Sequence, residues 1–100
     1  MVRSRRLGRQ LDDLIEAVLM LRNKDEARRF LDDLCTTAEL KTLAQRWEAA
    51  RMLDDGMTYE AIEGKTSMSS ATISRIKRAM TEGSGYTLLL GRLKRRARDR

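Results

Sequence analysis

Histidine and proline are absent from this 100-residue chain, and cysteine occurs once, as Cys35. Without histidine or a pair of cysteines, the chain lacks the side chains from which most protein zinc sites are built. A single cysteine also excludes an internal disulfide, so we expect a reducing compartment such as the cytoplasm. No glycine-rich phosphate loop is present, and we predict neither a metal ion nor another cofactor.

The paired carboxylates of the chain do not favour an enzyme. Each pair consists of adjacent residues on a helix face or at a helix end: Asp12 and Asp13, Asp32 and Asp33, Asp54 and Asp55. Adjacent side chains on a helix point ~100° apart and therefore converge poorly on a substrate. We expect no catalytic activity.

Long hydrophobic runs are also missing. No stretch approaches the ~18 apolar residues that a membrane span requires, and no apolar signal segment follows the basic N-terminus. Only four aromatic residues occur, and no alternating strand pattern or internal repeat is visible. The sequence predicts an all-α protein without a membrane segment.

Positive charge is concentrated at the two ends of the chain. The net charge is +6; residues 1–9 carry four cations and no acid, and residues 92–100 carry six cations and one acid. The length indicates a single domain over residues 1–100, with basic ends at 1–6 and 92–100. Such ends occur as loosely ordered, solubilising tails, and they also occur as salt-sensitive phosphate contacts.

A broad apolar stripe predicts a first helix from about Arg5 to Arg22. Its residues recur at spacings of three and four, and two further apolar residues widen it. The stripe comprises Leu7, Leu11, Leu14, Ile15, Val18, Leu19 and Leu21. A stripe this wide needs more cover than one partner helix offers. A monomeric bundle core would satisfy it, but a dimer interface is our preferred interpretation.

Two more helices are predicted before residue 54. Asp25 is a suitable N-cap for the second, and Thr36 and Glu39 have capping-box spacing before the third. The third helix should end near Leu53 and carry an inward stripe: Leu40, Leu43, Ala44, Trp47 and Ala50. At this spacing Trp47 is interpreted as a core residue and not as a ligand contact.

A helix-turn-helix is predicted near residues 58–80. Thr58 and Ser69 are N-cap residues ahead of helices that span about 59–65 and 70–81, and a turn lies between them. Four apolar residues have the inward spacing of this motif: Ile62, Met68, Ile73 and Ile76. Two positions depart from it. Glu63 lies where a small residue is usual, and Ser67 lies where glycine usually makes the turn.

The second helix of this motif has the composition of a DNA-recognition helix. With its isoleucines inward, Ser70, Ala71 and Ser74 lie on the leading exposed face, and their small side chains allow entry into a major groove. Three cations follow within one turn and can reach phosphates. The candidate DNA-binding residues are Ser69, Ser70, Ala71, Thr72, Ser74, Arg75, Lys77 and Arg78.

The segment from Cys35 to Arg78, CTTAELKTLAQRWEAARMLDDGMTYEAIEGKTSMSSATISRIKR, resembles the Trp repressor family, and most closely its tryptophan-repressor-like relatives from Gram-positive bacteria. Segments such as DLCT, LAQR, ARML and ATISR recur there in the same order. The resemblance covers roughly residues 10–90. It implies an intertwined homodimer of six helices per chain, with N-terminal helices that wrap around the partner.

The resemblance also bears on an effector. In the Trp repressor proper, two arginines and a threonine line the corepressor pocket, and a glycine leaves room for the indole. Thr36, Arg46 and Arg75 match the polar members, but Ile76 stands at the glycine position. We therefore expect that L-tryptophan is not the corepressor, and the small-molecule effector stays unknown.

A second departure lies in the first helix of the motif. Positions that offer cations to DNA in the Trp repressor align with Glu60 and Glu63. Acids at these positions repel phosphate, although a glutamate can accept a hydrogen bond from a cytosine amine. The operator is therefore expected to differ from the tryptophan operator.

These observations predict a sequence-specific double-stranded-DNA-binding transcriptional regulator. It would act as a repressor and bind a palindromic operator as a homodimer. Two alternatives stay open: the DNA-binding module of a transposase or initiator-like protein, and a protein–protein adaptor with a degenerate helix-turn-helix.

Overall fold

The computed structural model describes residues 4–99, and these residues form six α-helices and no strand. The helices are α1 (Arg5–Leu19), α2 (Lys24–Leu34), α3 (Thr37–Asp54), α4 (Tyr59–Thr66), α5 (Ser70–Glu82) and α6 (Gly85–Arg98). The predicted all-α class and the number of helices are confirmed. Within the described range, no helix combines the length and apolar character needed to cross a bilayer.

The chain divides into two compact units between Leu40 and Lys41, within α3. The prediction of a single domain over residues 1–100 stays a prediction. At the C-terminal end, α6 extends to Arg98, so most of the basic segment 92–100 is helical. At the N-terminal end, the first three residues of the basic segment 1–6 lie outside the described residues.

The end of α1 and the start of α2 differ from the predicted boundaries. α1 ends at Leu19 and not at Arg22, and the N-cap of α2 is Asn23 and not Asp25. The Asn23 side chain accepts a hydrogen bond from the Glu26 backbone N–H at 2.9 Å. In return, the Glu26 carboxylate accepts one from the Arg22 backbone N–H at 3.0 Å. These two hydrogen bonds cap the start of α2, so Arg22 lies before the helix and Asp25 lies in its first turn.

The N-terminal unit has no buried side chain on α1 or α2. Most of the apolar residues in the stripe predicted for the first helix are exposed to solvent. Two apolar residues of α2 are exposed as well. Side chains of this group with more than a third of their surface exposed are Leu7, Ile15, Val18, Leu19, Met20, Leu31 and Leu34. The apolar surface of this unit is therefore left without cover in the single chain.

The C-terminal unit has its own hydrophobic core. The core residues come from α3, α4 and α5: Ala49, Ala50, Leu53, Ile62, Ile73 and Ile76. Met68 in the turn is half-buried and packs against them. The inward orientation predicted for the four apolar residues of the helix-turn-helix is thus confirmed.

The predicted inward stripe of α3 is only partly correct. Ala50 is fully buried and Trp47 is half-buried, but Leu43 and Ala44 are exposed. In the C-terminal unit, the core gathers around the last turns of α3, where Ala49 and not Ala44 faces the isoleucines. The apolar surface at Leu43 is consequently uncovered in one protomer.

Candidate nucleic-acid interface

A tight turn at residues 67–69 joins α4 to α5. Thr58 caps α4, and its hydroxyl accepts a hydrogen bond from the Ala61 backbone N–H at 3.1 Å. α4 ends at Thr66, and its C-cap, Ser67, adopts the left-handed conformation with φ 61° and ψ 15°. This is the position at which glycine is usual in the motif, and here serine adopts the glycine-like backbone conformation.

Thr66 holds the turn from inside, a role that sequence reasoning missed. Its side chain is buried, and the hydroxyl donates a hydrogen bond to the Ile62 carbonyl at 2.7 Å. The same oxygen accepts a hydrogen bond from the Met68 backbone N–H at 3.2 Å. The Gln45 side chain donates to the Thr66 carbonyl at 3.4 Å. A threonine at a helix end, four residues after a core isoleucine, is the sequence signal that could have indicated this role.

The start of α5 is fixed by a local cap. The Ser69 hydroxyl accepts a hydrogen bond from the Thr72 backbone N–H at 3.2 Å and lies 3.0 Å from the Thr72 hydroxyl. The predicted N-cap role of Ser69 is confirmed. Because the hydroxyls of Ser69 and Thr72 lie within hydrogen-bond distance of each other, they are less available for contacts with DNA bases than their position on the helix suggests.

The leading face of α5 is exposed and free. Ser70, Ala71 and Ser74 are exposed, and neither serine hydroxyl makes a hydrogen bond within residues 4–99. Side chains this small place little bulk between the helix axis and an approaching ligand. The surface therefore has the shape and the free hydroxyl groups that a major groove can accept.

Three exposed cations continue this surface. Arg75, Lys77 and Arg78 have no carboxylate within ion-pair distance in the part of the chain that the structure describes. Their charges are thus available to an anionic partner. α4 contributes the opposite charge, because Glu60 and Glu63 are both exposed. Since Glu63 points to solvent, its side chain does not obstruct the packing of α4 on α5.

A cavity of about 560 Å³ lies beside α5 in the C-terminal unit. Two of the predicted effector residues, Arg46 and Arg75, line it together with Ile76 and Tyr86. Ile76 is 5% exposed, so the same side chain borders the cavity and belongs to the core. Its branched side chain fills volume that glycine would leave open at this position.

Thr36, the third polar residue predicted for this pocket, belongs to the N-terminal unit. There it forms the predicted capping box: its hydroxyl accepts from the Glu39 N–H at 3.1 Å, and the Glu39 carboxylate accepts from the Thr36 N–H at 2.8 Å. The hydrogen bond from the Thr36 backbone N–H, followed by an interaction with the Thr36 side chain, lowers the pKa of the Glu39 carboxyl below its ordinary value of 4.5.

The tryptophan is part of an aromatic pair. The rings of Trp47 and Tyr86 are stacked with a centroid separation of 6.4 Å and an interplanar angle of 9°. The pair joins α3 to the first turn of α6. Trp47 is thus half-buried against Tyr86 but lies outside the core cluster itself. Tyr86, which packs against that cluster, was not singled out from the sequence.

Residues 9–94 match the sequence model of the family described as Trp repressor protein. The chain is 49% identical over 88 residues to YerC of Bacillus subtilis (strain 168), an uncharacterized protein, with 87% of this chain and 85% of YerC covered. Two crystal structures have the same fold. A candidate Trp repressor from Staphylococcus aureus is 44% identical with a TM-score of 0.81, covering 87% of this chain and 88% of that one. A TrpR-like protein from Eubacterium eligens ATCC 27750 is 41% identical with a TM-score of 0.82, covering 86% and 90%.

Proposed function

Because the chain belongs to the Trp repressor family, we propose that it is a sequence-specific double-stranded-DNA-binding regulator of transcription. In this proposal the protein acts in the cytoplasm as a repressor and binds a palindromic operator as a homodimer. The observation that carries the proposal is the leading face of α5. It combines free hydroxyls, small side chains and unpaired cations on one exposed surface of a helix-turn-helix.

Selection of bound duplexes from a random pool tests sequence-specific binding. We expect a recovered consensus with two-fold symmetry, because a homodimer presents two copies of α5 to DNA. Titration with salt should show log K falling linearly with log salt concentration, with a slope of about −0.9 per phosphate contact. Binding without sequence preference and with a shallow slope would contradict the proposal.

Two substitutions address the recognition surface directly. Ser70→Glu places a negative charge beside the phosphates, and Arg75→Ala removes a cation, so both should weaken operator binding. A base contact contributes ~1–3 kcal/mol of discrimination, whereas removal of a phosphate contact weakens binding to all sequences about equally. Thr81→Glu is the matched control for the added charge, because Thr81 is exposed at the opposite end of α5. Loss of dimerisation in either variant would instead assign the residue a structural role.

A homodimer would explain the exposed apolar surface of the N-terminal unit. Leu19 is 77% exposed although it belongs to the broad apolar stripe, and Met20, which directly follows α1, is 72% exposed. A second copy of the chain would remove this surface from water at about 25 cal/mol per Å². Multi-angle light scattering should give a dimer at micromolar concentration. A monomer under those conditions would refute the dimeric operator complex.

The cavity beside α5 supports the proposal that L-tryptophan is not the corepressor. Arg46 and Arg75 would attract a carboxylate, but Ile76 takes up volume at the position that glycine occupies in the Trp repressor. Calorimetry with L-tryptophan should show no binding in the micromolar range. Micromolar binding that also sharpens operator affinity would overturn this part of the proposal.

A protein–protein adaptor is the second candidate. The observation in its favour is the exposure of Glu60 and Glu63 on α4, where acids oppose an approaching phosphate backbone. An adaptor should bind DNA weakly and without sequence preference. The pool selection and the salt titration therefore separate the two candidates in one set of measurements.

A further inference from the structure

The second half of α6 carries a cluster of unpaired positive charges. Arg92, Arg95, Arg96 and Arg98 are exposed, and none has a carboxylate within ion-pair distance in residues 4–99. Only Lys94 on this half is neutralised, by an ion pair with Asp54 at 2.9 Å. We call these four arginines the α6 basic cluster.

The α6 basic cluster is carried by an anchored helix and not by a loose tail. At the start of α6, the Thr87 hydroxyl donates a hydrogen bond to the Met80 carbonyl of α5 at 3.2 Å. In the middle, Leu90 is 5% exposed, and Lys94 then pairs with Asp54 at the end of α3. These contacts hold the helix beside α3 and α5, so the arginines have a defined position relative to the helix-turn-helix.

The half of α6 that carries the cluster lies next to the cationic side of α5. Lys77 of α5 and Lys94 of α6 line the same cleft, which has a volume of about 310 Å³. On the other side of Lys94, Leu93 and Ala97 lie in a second cleft against Asp55, close to the corner where the chain turns from α3 into α4. The four arginines line neither cleft, and they lie on the exposed side of the same half of α6.

In a helix-turn-helix the first helix crosses the phosphate backbone while the second enters the groove. In this chain α4 is the first helix, and its exposed Glu60 and Glu63 oppose that crossing. Cations on another helix of the same unit can offset such repulsion by contacting phosphates further along the duplex. Positive charges at a helix C-terminus also interact favourably with the helix dipole, but this effect falls off within the last turn. Arg92 lies before that turn, so the dipole does not account for the whole cluster.

We infer that the α6 basic cluster binds phosphates of duplex DNA flanking the site read by α5. The contact would lengthen the footprint of each protomer beyond the helix-turn-helix without reading base sequence. This inference rests on the proposed DNA-binding function.

The test is a salt titration of the full-length triple variant Arg92→Gln, Arg95→Gln, Arg96→Gln. These three positions have spacings of three and four and therefore share one face of α6. The matched control removes the same charge from α2 and the segment before it: Arg22→Gln, Lys24→Gln, Arg28→Gln. Each protein is measured on the selected operator with long flanks and on the same operator trimmed to the recognised bases.

On the long duplex, the slope of log K against log salt should become shallower by about 0.9 for each phosphate that the variant no longer neutralises, or about 2.7 per protomer. On the trimmed duplex the wild-type protein and the α6 variant should have similar slopes, because the flanking phosphates are gone. The ratio of operator to random-sequence affinity should change less than about twofold, because phosphates carry no sequence information. The control variant should retain the wild-type slope.

Three outcomes would overturn the inference. If the slope on the long duplex is unchanged and operator selectivity is intact, the cluster does not contact flanking phosphates, whereas the proposed DNA-binding function is unaffected. An equal change of slope in the control variant assigns the effect to net charge alone. Dissociation of the dimer by the α6 substitutions, seen by light scattering, assigns the cluster to association between copies. If wild-type protein shows no preference for any duplex, the proposed function itself fails, and that result is distinct from the other three.

Discussion

Replacing Ser67 by glycine tests whether the turn of the helix-turn-helix carries backbone strain. Ser67 has φ 61°, and no other non-glycine residue in the described range has a positive φ. A left-handed conformation costs an L-residue about 1–2 kcal/mol because its Cβ approaches the carbonyl oxygen. Glycine removes this clash, but its greater freedom in the unfolded chain costs about 0.5–1 kcal/mol on folding.

The structure offers little to offset the removal of the serine side chain. Ser67 is exposed, and its hydroxyl makes no hydrogen bond to a residue that the structure describes. Its backbone N–H bonds to the Glu63 carbonyl at 3.0 Å, which glycine retains. The net gain should therefore be about 0.5–1 kcal/mol in the free energy of unfolding, or a rise in Tm of about 2–8 °C.

Urea denaturation followed by circular dichroism measures this difference. Gly56→Ala is the matched control, because Gly56 has φ 83° and an added Cβ would meet no atom within 4 Å. That substitution should destabilise by about 1 kcal/mol through the backbone alone. A Ser67→Gly variant that is less stable than wild type, alongside a destabilised Gly56→Ala, would refute the strain argument and indicate an unrecognised role for the serine side chain.

Three further predictions concern stability. Ile73→Ala should cost about 2–5 kcal/mol in urea denaturation, because Ile73 is fully buried, whereas Ile73→Val should cost about 0.5–1.5 kcal/mol. Thr36→Ala should destabilise by about 0.5–2 kcal/mol through loss of the α3 cap, and Thr36→Ser should recover most of that stability. Because the folded-state pKa of Glu39 is lowered, its contribution is present above pH 4.5 and disappears as pH falls through the folded value. The stability difference between wild type and Glu39→Gln should therefore shrink in acid, and a difference that does not change as pH falls below 4.5 would contradict this assignment.

The type and spacing of residues along the sequence correctly predicted those features that depend on only a few neighbouring residues. The capping box of Thr36 and Glu39 and the N-caps Thr58 and Ser69 follow from residue type and spacing alone. The inward orientation of the motif isoleucines follows from helical periodicity, because their spacing leaves one way to bury them together.

Features that depend on the tertiary arrangement were missed. Leu43 is exposed although its spacing suits an apolar stripe, because the core gathers around the last turns of α3. The boundary at Asn23 depends on a carboxylate that bonds back to the preceding turn. Thr66 is buried only because α4 and the turn close around it. Propensity alone does not carry this information.

Ile76 joins the question of the ligand to the question of the fold. The resemblance to the Trp repressor aligns it with a glycine, and in the structure it borders the cavity and is 5% exposed in the core. A change to glycine would open the cavity, but it would also remove a buried side chain that joins α5 to α3 and α4. Truncating a buried isoleucine costs about 2–5 kcal/mol, out of the roughly 5–15 kcal/mol that stabilises a typical domain. Tight packing of α5 and space for an indole would therefore compete at this one position, and the structure shows the position filled by the buried side chain of Ile76.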